Sequence, residues 1–282
     1  MSESTPPSRA GYIARIAANR SAQVGMALIL LVTAIAFLGP YVAPYTPSEF
    51  IGRPYNMAAE GALLGTDNLG RDVWSRVLHG GHDLVWMAAA ATLLGLTLGT
   101  AIGLAAAYYK GLTDLLLMRL IELKLAFPSI VFALLFVTMF GPGKLLLTVV
   151  VGISQAPSVS RVMRGVALSV VRQDYVQWAR SVGMPSWRIL LSEVLPNTTS
   201  PLLVEFGLRM MWSISLLAGL SFLGYGIQPP AADWGLMVNE NRNALAIQPY
   251  AVLTPILLIA LFSIGCNIFA EGVTRAIGRT GN

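Results

Sequence analysis

The sequence predicts an all-α, polytopic membrane protein with six transmembrane helices. Of its 282 residues, 55% are hydrophobic and 12% are charged, whereas soluble domains carry about 25% charged residues. Six segments are apolar enough to cross a bilayer, and none shows the alternating polarity over about ten residues that builds a membrane barrel. Helices are therefore the structure that satisfies the backbone hydrogen bonds of these segments in lipid.

The six spans can be placed in order along the chain. The first follows a basic N-terminal segment and gives about 20 mostly apolar residues, enough to cross at roughly 1.5 Å per residue. It lacks a small-residue cleavage pattern, so we expect it to be retained. The fourth is interrupted by Ser154 and Gln155, and its helix can continue towards Val170. The predicted spans are 24–43, 84–109, 125–140, 145–157, 201–223 and 250–270.

The distribution of basic residues predicts the orientation. With the N-terminus inside, 13 of the 19 Lys and Arg residues fall in cytoplasmic segments, and Arg209 lies within a span. Five fall outside: Arg53, Arg71, Arg76, Lys144 and Arg242. Such an asymmetry predicts that both termini are cytoplasmic, and it accounts for the net charge of +5 without nucleic-acid binding. Glu122 and Lys124 then mark the cytoplasmic start of the third span.

Small residues recur every four positions in the second span, at Ala91, Gly95, Gly99, Gly103 and Ala107. Residues four apart share one face of a helix, and glycine there lets two helices approach closely in lipid. The stripe predicts tight packing inside a bundle, with a gating hinge or a dimer contact as the alternative.

The residue inventory offers no catalytic cluster and no cofactor site. The single cysteine, Cys266, excludes an intrachain disulfide. The Gly143-Lys144 pair lacks the earlier glycine of a phosphate-binding loop, so any ATP must bind to a partner. His79 and His82 are three apart, but their ligand set is incomplete for a metal. We therefore expect a non-enzymatic chain with no catalytic and no metal-binding residues.

The segment 175–196 is the one polar-faced stretch between spans on the predicted cytoplasmic side. Asp174 and Gln177 have the spacing of a reciprocal helix N-cap, Gly183 suits the position after the helix, and Pro185 suits the first turn of the next. The segment predicts two short helices near the membrane surface. Val176, Ala179 and Gly183 would form an apolar edge, and Gln177, Arg180 and Arg188 would offer polar contacts.

This segment resembles the E-A-A loop of the permeases of binding-protein-dependent ABC importers. The family pattern is E-A-A, three residues, glycine, nine residues, and I-x-L-P. The chain matches it at Ala179, Gly183 and Leu195-Pro196, and it departs with Gln and Trp at 177 and 178 and with Glu193 in place of Ile. In the family this segment is the coupling helix, which sits in a cleft on the ATPase subunit.

Two further stretches resemble one group within that family. Residues 65–76, GTDNLGRDVWSR, are similar to the segment after the first span of the dipeptide, oligopeptide and nickel permeases. Residues 220–230, LSFLGYGIQPP, followed by Trp234-Gly235, are similar to the segment after the fifth span. Both belong to the second of that group's two permease subunits. The resemblance covers most of residues 20 to 275.

The resemblance implies the type I ABC importer permease fold and a domain plan. Residues 1–23 would be a cytoplasmic segment, 24–79 the first span and outer loop, 80–272 the permease core with its coupling helix near 174–188, and 273–282 a cytoplasmic tail. It implies the bacterial cytoplasmic (inner) membrane as the location. The implied partners are a second permease, two ATPase subunits that bind ATP and Mg, and an extracytoplasmic solute-binding protein, with no nucleic acid.

The resemblance and the charges together predict three sets of site residues. The ATPase-coupling set is Asp174, Tyr175, Gln177, Ala179, Arg180, Gly183, Met184 and Arg188. The outer gate or binding-protein contact is Arg71, Asp72, Gln228, Pro229 and Trp234. The translocation path is Glu205, Arg209, Met210 and Trp212, because a pair of charges four apart inside a span favours an aqueous path, a partner contact or a structural pair.

The predicted function is that of a permease subunit of an ATP-driven importer, with di- or oligopeptides as the expected solute. Nickel chelates, opines and other small solutes are alternatives within the same group. A secondary transporter or channel that works without ATPases is the alternative of another class. It would give no reason for the segment 175–196, and the spans contain few carboxylates for ion coupling.

Overall fold

The structure, a computed structural model, describes residues 16–57 and 61–278. The described part is helical, with two longer loops, 43–81 and 223–249, which we call the first and second loops. The helices, in chain order, are α1 (Arg20–Val42), α2 (Val73–His79), α3 (His82–Tyr109), α4 (Gly111–Leu125), α5 (Ser129–Phe140), α6 (Lys144–Val170), α7 (Asp174–Ser181), α8 (Ser186–Ile189), α9 (Thr199–Phe222), α10 (Trp234–Asn241) and α11 (Tyr250–Gly278). A π-helical turn, Leu190–Val194, and a 3₁₀ turn, Leu195–Thr198, join α8 to α9.

The helices account for the predicted spans. Five helical stretches in the described residues are long and apolar enough to cross a membrane, and α4 with α5 makes a sixth if the two count as one bent span. The prediction that the fourth span continues towards Val170 is confirmed, because α6 runs unbroken from Lys144 to Val170 through Pro157. The sixth span is longer than predicted, since α11 continues to Gly278.

The third span differs from the predicted segment 125–140. Leu125 ends α4, and α5 begins only at Ser129, with an 81° bend between the two helices. Pro128 explains the break, because proline disfavours helical backbone in the residue before it. α5 alone has 12 residues, or about 18 Å, which is well short of a hydrocarbon core of about 30 Å. The span therefore begins earlier, with α4 at Gly111.

The core of the bundle is the contact between α3 and α6. A Cβ atom at Gly95 would lie 2.9 Å from the carbonyl oxygen of Gly152, and one at Gly99 would lie 2.7 Å from that of Ala156. At Gly103, the corresponding distance to the carbonyl oxygen of Ser160 is 2.7 Å. These distances leave no room for a side chain. The prediction that the stripe packs tightly inside the bundle is confirmed.

A second close approach holds α1 against the bundle. A Cβ atom at Gly25 would lie 2.7 Å from the carbonyl oxygen of Gly265 in α11, so the two backbones are nearly in contact. The first span is thus packed on the last one. The two ends of the bundle carry the candidate sites: α3 connects the loops at its His82 end to the segment 174–196 at its Tyr109 end.

Candidate functional site

The segment 174–196 is anchored to the bundle by one buried face. Val176 and Ala179 of α7 are buried against the ends of α3 and α6, and Ile189 and Val194 join the same apolar cluster. Met184 packs against this cluster from its edge. The segment is therefore an ordered part of the fold. It packs against the C-terminal ends of α3 and α6, the two helices with the tightest contact.

The end of α7 confirms the predicted role of Gly183. Its φ of +78° lies in the left-handed region, where glycine carries no steric penalty. The Gly183 amide donates to the carbonyl oxygen of Arg180 at 3.0 Å, and the Met184 amide donates to that of Ala179 at 3.1 Å. This pair of bonds is the Schellman motif, which satisfies the last carbonyls of a helix. The chain is thereby turned sharply into α8.

The start of α7 differs from the predicted N-cap. Gln173 is the residue before the helix and makes no side-chain cap, while Asp174 is the first helical residue, where its negative charge faces the positive end of the helix dipole. The side chain of Gln177 donates from Nε2 to the carbonyl oxygen of Val171 at 2.7 Å and does not close a reciprocal pair. Pro185 lies one position before α8 and not in its first turn.

Arg180 points towards the bundle and not towards solvent. Its guanidinium carbon lies 4.1 Å from the centre of the Tyr108 ring, and Nη2 donates to the carbonyl oxygen of Tyr108 at 3.2 Å. A cation over an aromatic face is attracted to it. With Ala179 also buried, two residues of the predicted coupling set fasten α7 to α3, and the predicted apolar edge of Val176 and Ala179 faces inward.

The outward face of the same segment carries exposed large side chains. Trp178 is 66% exposed and Trp187 is 65% exposed. Together with Tyr175, Val182 and Leu191, which are also exposed, they form what we call the aromatic surface. Burial and the nearby Glu193 charge raise the pKa of Tyr175, which stays neutral at physiological pH. Exposed apolar patches of this kind mark protein contacts.

Sequence reasoning missed the main part of the aromatic surface. Trp178 was recognised only as a departure from the family pattern, and no role was predicted for Trp187. The two tryptophans could have predicted a contact surface, because tryptophan in a short polar segment is unusual outside a core or an interface. Among the predicted residues, Tyr175 and Arg188 lie on the exposed side with them.

The predicted path residues divide between different faces of α9. Arg209 Nε donates to Glu205 Oε2 at 2.9 Å, and both side chains are largely buried, so the predicted pair is confirmed. Met210 lies on another face, where its sulfur is 3.7 Å from Thr92 Oγ1. Trp212 is exposed. The structure therefore brings Glu205 and Arg209 together and separates them from Met210 and Trp212.

A polar cluster that the sequence did not suggest connects three spans. Ser213 Oγ of α9 lies 2.8 Å from Thr92 Oγ1 of α3. Gln155 Nε2 of α6 donates to Ser213 Oγ at 2.6 Å. All three side chains are buried. Hydrogen bonds between spans hold helices together in lipid. Gln155, which looked like an interruption of the fourth span, is the residue that ties that span to α9.

The two loops are joined by a buried ion network, which we call the loop clasp: Asp67, Arg71, Arg76 and Glu240. Asp67 Oδ2 accepts from Arg71 Nε at 2.7 Å and from Arg76 Nη1 at 2.5 Å. Glu240 Oε2 accepts from Arg71 Nη2 at 3.1 Å and from Arg76 Nη1 at 2.7 Å. Asp67, Arg71 and Arg76 are buried, so the two loops form one unit.

Asp72, the other charged residue predicted for the outer gate, caps a helix. Its Oδ2 accepts from the amide of Ser75 at 2.7 Å and from the Ser75 hydroxyl at 2.6 Å, which starts α2. Asp72 and Arg71 are buried, so neither presents its side chain to solvent in this conformation. Gln228 and Pro229 are exposed at the tip of the second loop.

Trp234 seals the joint between the loops and the bundle. Its ring is fully buried, Nε1 donates to the carbonyl oxygen of Val77 at 2.8 Å, and its amide donates to that of Gly80 at 3.2 Å. A Cβ atom at Gly81 would lie 2.4 Å from the ring, so only glycine fits there. Gln248, missed by sequence reasoning, adds a bond from the second loop to the carbonyl oxygen of Leu64 at 3.0 Å.

The two histidines are occupied by local contacts. His79 Nδ1 lies 2.8 Å from the carbonyl oxygen of Ser75, and His82 Nδ1 lies 3.6 Å from Asp83 Oδ1. Asp83 also accepts from Lys144 at 2.6 Å. Within residues 16–57 and 61–278, no three potential metal-ligating side chains gather.

A bundle of helices long enough to cross a membrane, with an exposed aromatic surface at one end and a closed loop unit at the other, defines an integral membrane protein. Comparison with known proteins gives the particular family. Residues 99–280 match the binding-protein-dependent transport system inner membrane component, and residues 12–60 match the N-terminal transmembrane domain of oligopeptide transport permease C. The chain belongs to the family of binding-protein-dependent transport system inner membrane components.

Individual relatives agree with this assignment. The glutathione transport system permease protein GsiD of Pectobacterium atrosepticum is 37% identical over 88% of this chain and 83% of its own length. GsiD of Escherichia coli O6:K15:H31 is 34% identical over 93% of this chain and 88% of its own. The inward-facing MetNI methionine ABC transporter shares the fold, with a TM-score of 0.56 at 14% identity over 72% of this chain and 96% of that one.

The predicted class of function is thereby confirmed. The chain is an integral inner-membrane permease subunit of a binding-protein-dependent ABC importer. Its fold is that of the type I importer permeases, as the likeness to the methionine transporter shows. The family is one of transport permease subunits.

Proposed function

We propose that this permease imports di- or oligopeptides, including peptides of the size of glutathione. The names of its relatives, glutathione permeases at 34% and 37% identity, support this solute class. The match of residues 12–60 to the N-terminal domain of an oligopeptide permease supports it independently. Nickel chelates, opines and other small solutes are the competing candidates within the same family.

The working complex has this chain as one half of the channel. A second permease completes the pathway, two ATPase subunits bind ATP and Mg, and an extracytoplasmic binding protein delivers the solute. The excess of basic residues on one side of the spans supports a cytoplasmic position for both termini and for the segment 174–196. The first and second loops then lie outside the membrane, where the binding protein docks.

The aromatic surface is the observation that supports the proposed docking of the ATPase subunits. Large exposed apolar side chains on an ordered segment, with its other face buried in the bundle, are suited to dock on a subunit that moves. Tyr175, Trp178 and Arg188 would contact the ATPase, with Asp174, Gln177 and Met184 at the rim. Ala179 and Arg180 would transmit the motion, because they fix the segment to α3, and Gly183 would hold the turn between α7 and α8.

Transport would follow alternating access. ATP binding closes the ATPase pair, the segment 174–188 moves as a rigid unit, and the spans tilt until the path opens outward. Hydrolysis then resets the complex. The path would be lined by Glu205, Arg209, Met210 and Trp212. The gate would be built on Arg71, Asp72 and Trp234, with Gln228 and Pro229 at the exposed tip as the contact for the binding protein.

The test uses a charge placed on the aromatic surface. Trp178→Glu should abolish co-purification of the ATPase subunits in mild detergent and abolish ATP-dependent peptide uptake, because it puts a charge in an apolar contact. Since Trp178 is exposed in the free subunit, the fold of this chain should be unaffected. Ile247→Glu, at an equally exposed apolar position of the second loop, is the matched control and should leave ATPase binding intact.

Two results would overturn the proposal. Normal ATPase binding in Trp178→Glu would remove the docking role of the aromatic surface. A wild-type chain that purifies reproducibly without ATPase subunits, and takes up solute without ATP, would favour the secondary transporter. Uptake of a nickel chelate in place of a dipeptide would preserve the mechanism and change the solute.

A further inference from the structure

Two contacts show how α4 runs through the membrane. Near its start, Asp114 accepts from Arg164 Nε and Nη2, both at 2.6 Å. Near its end, Lys124 Nζ donates to the carbonyl oxygen of Ser154 at 2.6 Å. The contacts are ten residues apart in α4 and ten residues apart in α6, about 15 Å in each helix. Helix α4 therefore runs alongside α6, antiparallel to it, and not across the membrane surface.

This geometry puts Lys124 deep in the membrane. Ser154 lies ten residues from Lys144 and seven from Arg161, the nearest charged residues on either side of it in α6. The Lys124 ammonium is therefore about 15 Å from one of these charges and about 10 Å from the other along the helix, within a hydrocarbon core about 30 Å thick. This position differs from the cytoplasmic interface that the sequence predicts for Lys124, because the bent span, counted as one, begins with α4 at Gly111.

Lys124 has polar neighbours but no carboxylate partner among the described residues. Ser129 Oγ lies 3.5 Å from Nζ, and the ammonium sits 5.2 Å from the centre of the Phe132 ring. The acidic residues of its own helix are used elsewhere: Asp114 binds Arg164, and Glu122 binds Arg119. The Lys124 amino group thus lies at the break between α4 and α5 with only neutral groups as direct partners. Intramembrane cations of this kind mark substrate or ion pathways.

The exposed face of α4 combines charges with leucines. Arg119 is 70% exposed and Glu122 is 48% exposed in their ion pair at 2.9 Å, beside the exposed Leu116, Leu120 and Leu123. A pair of exposed charges is unfavourable against lipid and favourable against a partner chain or an aqueous path. The break at Pro128 matches the discontinuous helices that build midplane binding sites in other transporters.

We propose that the Lys124 ammonium is a recognition point for the carboxylate of the transported solute. The inference rests on the proposed function, since peptides carry a C-terminal carboxylate. The ammonium is held by the carbonyl oxygen of Ser154, in the turn of α6 before Pro157. A carboxylate arriving at the break between α4 and α5 would replace this neutral acceptor with a charged one, which is a stronger partner.

The first arm of the test measures whether position 124 is in water. Cys266 is the only native cysteine, so Cys266→Ala gives a clean background for Lys124→Cys. The full complex in membrane vesicles is treated with an anionic methanethiosulfonate, and modification is read by mass spectrometry. Lys124→Cys should react, whereas Leu30→Cys, an exposed position on α1, should not. No reaction at position 124 would overturn the proposal.

The second arm measures recognition. With the binding protein present and Lys124 in place, alanyl-phenylalanine should slow the modification of Ser129→Cys, 3.5 Å from the ammonium, and its C-terminal amide should not. Equal protection by both probes, or by neither, would overturn carboxylate recognition. In cells, Lys124→Gln should lower uptake of alanyl-phenylalanine roughly tenfold or more, and Lys124→Arg should recover part of it. Attachment of a cationic aminoethyl group to Lys124→Cys should also restore uptake.

These arms separate this inference from the proposed function. A merely structural role for Lys124 would reduce uptake of the acid and the amide by the same factor, which would refute recognition. A wild-type complex that takes up no peptide would refute the proposed solute class. In that case protection of Ser129→Cys by acetate, a carboxylate that is not a peptide, with Lys124 in place, decides whether the site binds carboxylates, and absence of protection would overturn it.

Discussion

The loop clasp gives the sharpest prediction about stability. Asp67→Asn keeps the shape of the side chain but removes its charge and places an amide group where Oδ2 accepts from Arg71 Nε and Arg76 Nη1. Both arginines are buried, so water cannot replace the lost partner. Only Glu240 would remain to balance two buried positive charges.

The magnitude follows from the two bonds that are lost. A hydrogen bond to a charged group contributes about 1.5–3 kcal/mol, so two contribute about 3–6 kcal/mol. The cost of removing one partner from a buried ion pair, about 3–5 kcal/mol, agrees with this range. Because about 1.4 kcal/mol is a factor of ten, amide protection in the loop unit should fall by roughly two to four decades.

The assay is hydrogen exchange of the purified chain in detergent, followed over α2 and α10. Glu49→Gln, at an exposed position of the first loop, is the control and should change protection by no more than about 0.5 kcal/mol. Asp67→Asn combined with Arg71→Met restores charge balance with Arg76 and Glu240, and it should recover part of the loss. A loss below about 1 kcal/mol in Asp67→Asn would refute the view that the clasp holds the loops together.

Three further predictions concern the joint, the second loop and the cytoplasmic segment. Gly81→Ala should destabilise the chain by about 1–3 kcal/mol in thermal unfolding, because the new Cβ would lie 2.4 Å from the Trp234 ring, whereas Gly219→Ala, with open space around it, should not. Burial raises the pKa of Asp233 to about 6 from 3.8, so its contribution is fully present below pH 3.8 and is lost as the pH rises through 6. The total change is on the order of 3 kcal/mol, and Asp233→Asn should flatten this pH dependence of hydrogen exchange in α10. Gly183→Leu should lower peptide uptake per ATP hydrolysed, because the left-handed φ of +78° costs other residues about 1–2 kcal/mol, and Gly183→Asn should be milder. Unchanged coupling in Gly183→Leu would count against the Schellman turn as a transmitting element.

Local rules of the chain were enough to predict most of the fold. The glycine stripe, the starts of five spans and the role of Gly183 depend on residues close in sequence, and each is found within about four residues of its prediction. The third span could not be predicted in this way. Its apolar leucines in α4 are mixed with charges whose partners lie far along the chain, as Asp114 pairs with Arg164. Without those partners, α4 looks too polar to enter a membrane.

The site residues divide in the same way, into those with partners close in sequence and those with distant partners. Sequence spacing identified Glu205 with Arg209, which are four apart on one helix. It did not identify Glu240 as the partner of Arg71, because they are far apart in sequence and meet only when the two loops fold together. It also misjudged the direction of Val176 and Ala179, since an amphipathic helix of eight residues shows two faces but not which of them meets the bundle.

These packing contacts define a continuous rigid column from one side of the membrane to the other. Arg180 and the buried face of α7 fasten the segment 174–196 to α3, and the glycine stripe locks α3 to α6 along their lengths. At the other end, Gly81 seats Trp234 against the start of α3, and the loop clasp joins both loops there. A tilt imposed at the aromatic surface therefore reaches the loops without a flexible joint in between. We therefore expect the backbone motion of gating beside the column, at the break between α4 and α5 at Pro128. The proposed carboxylate site at Lys124 lies at the same break.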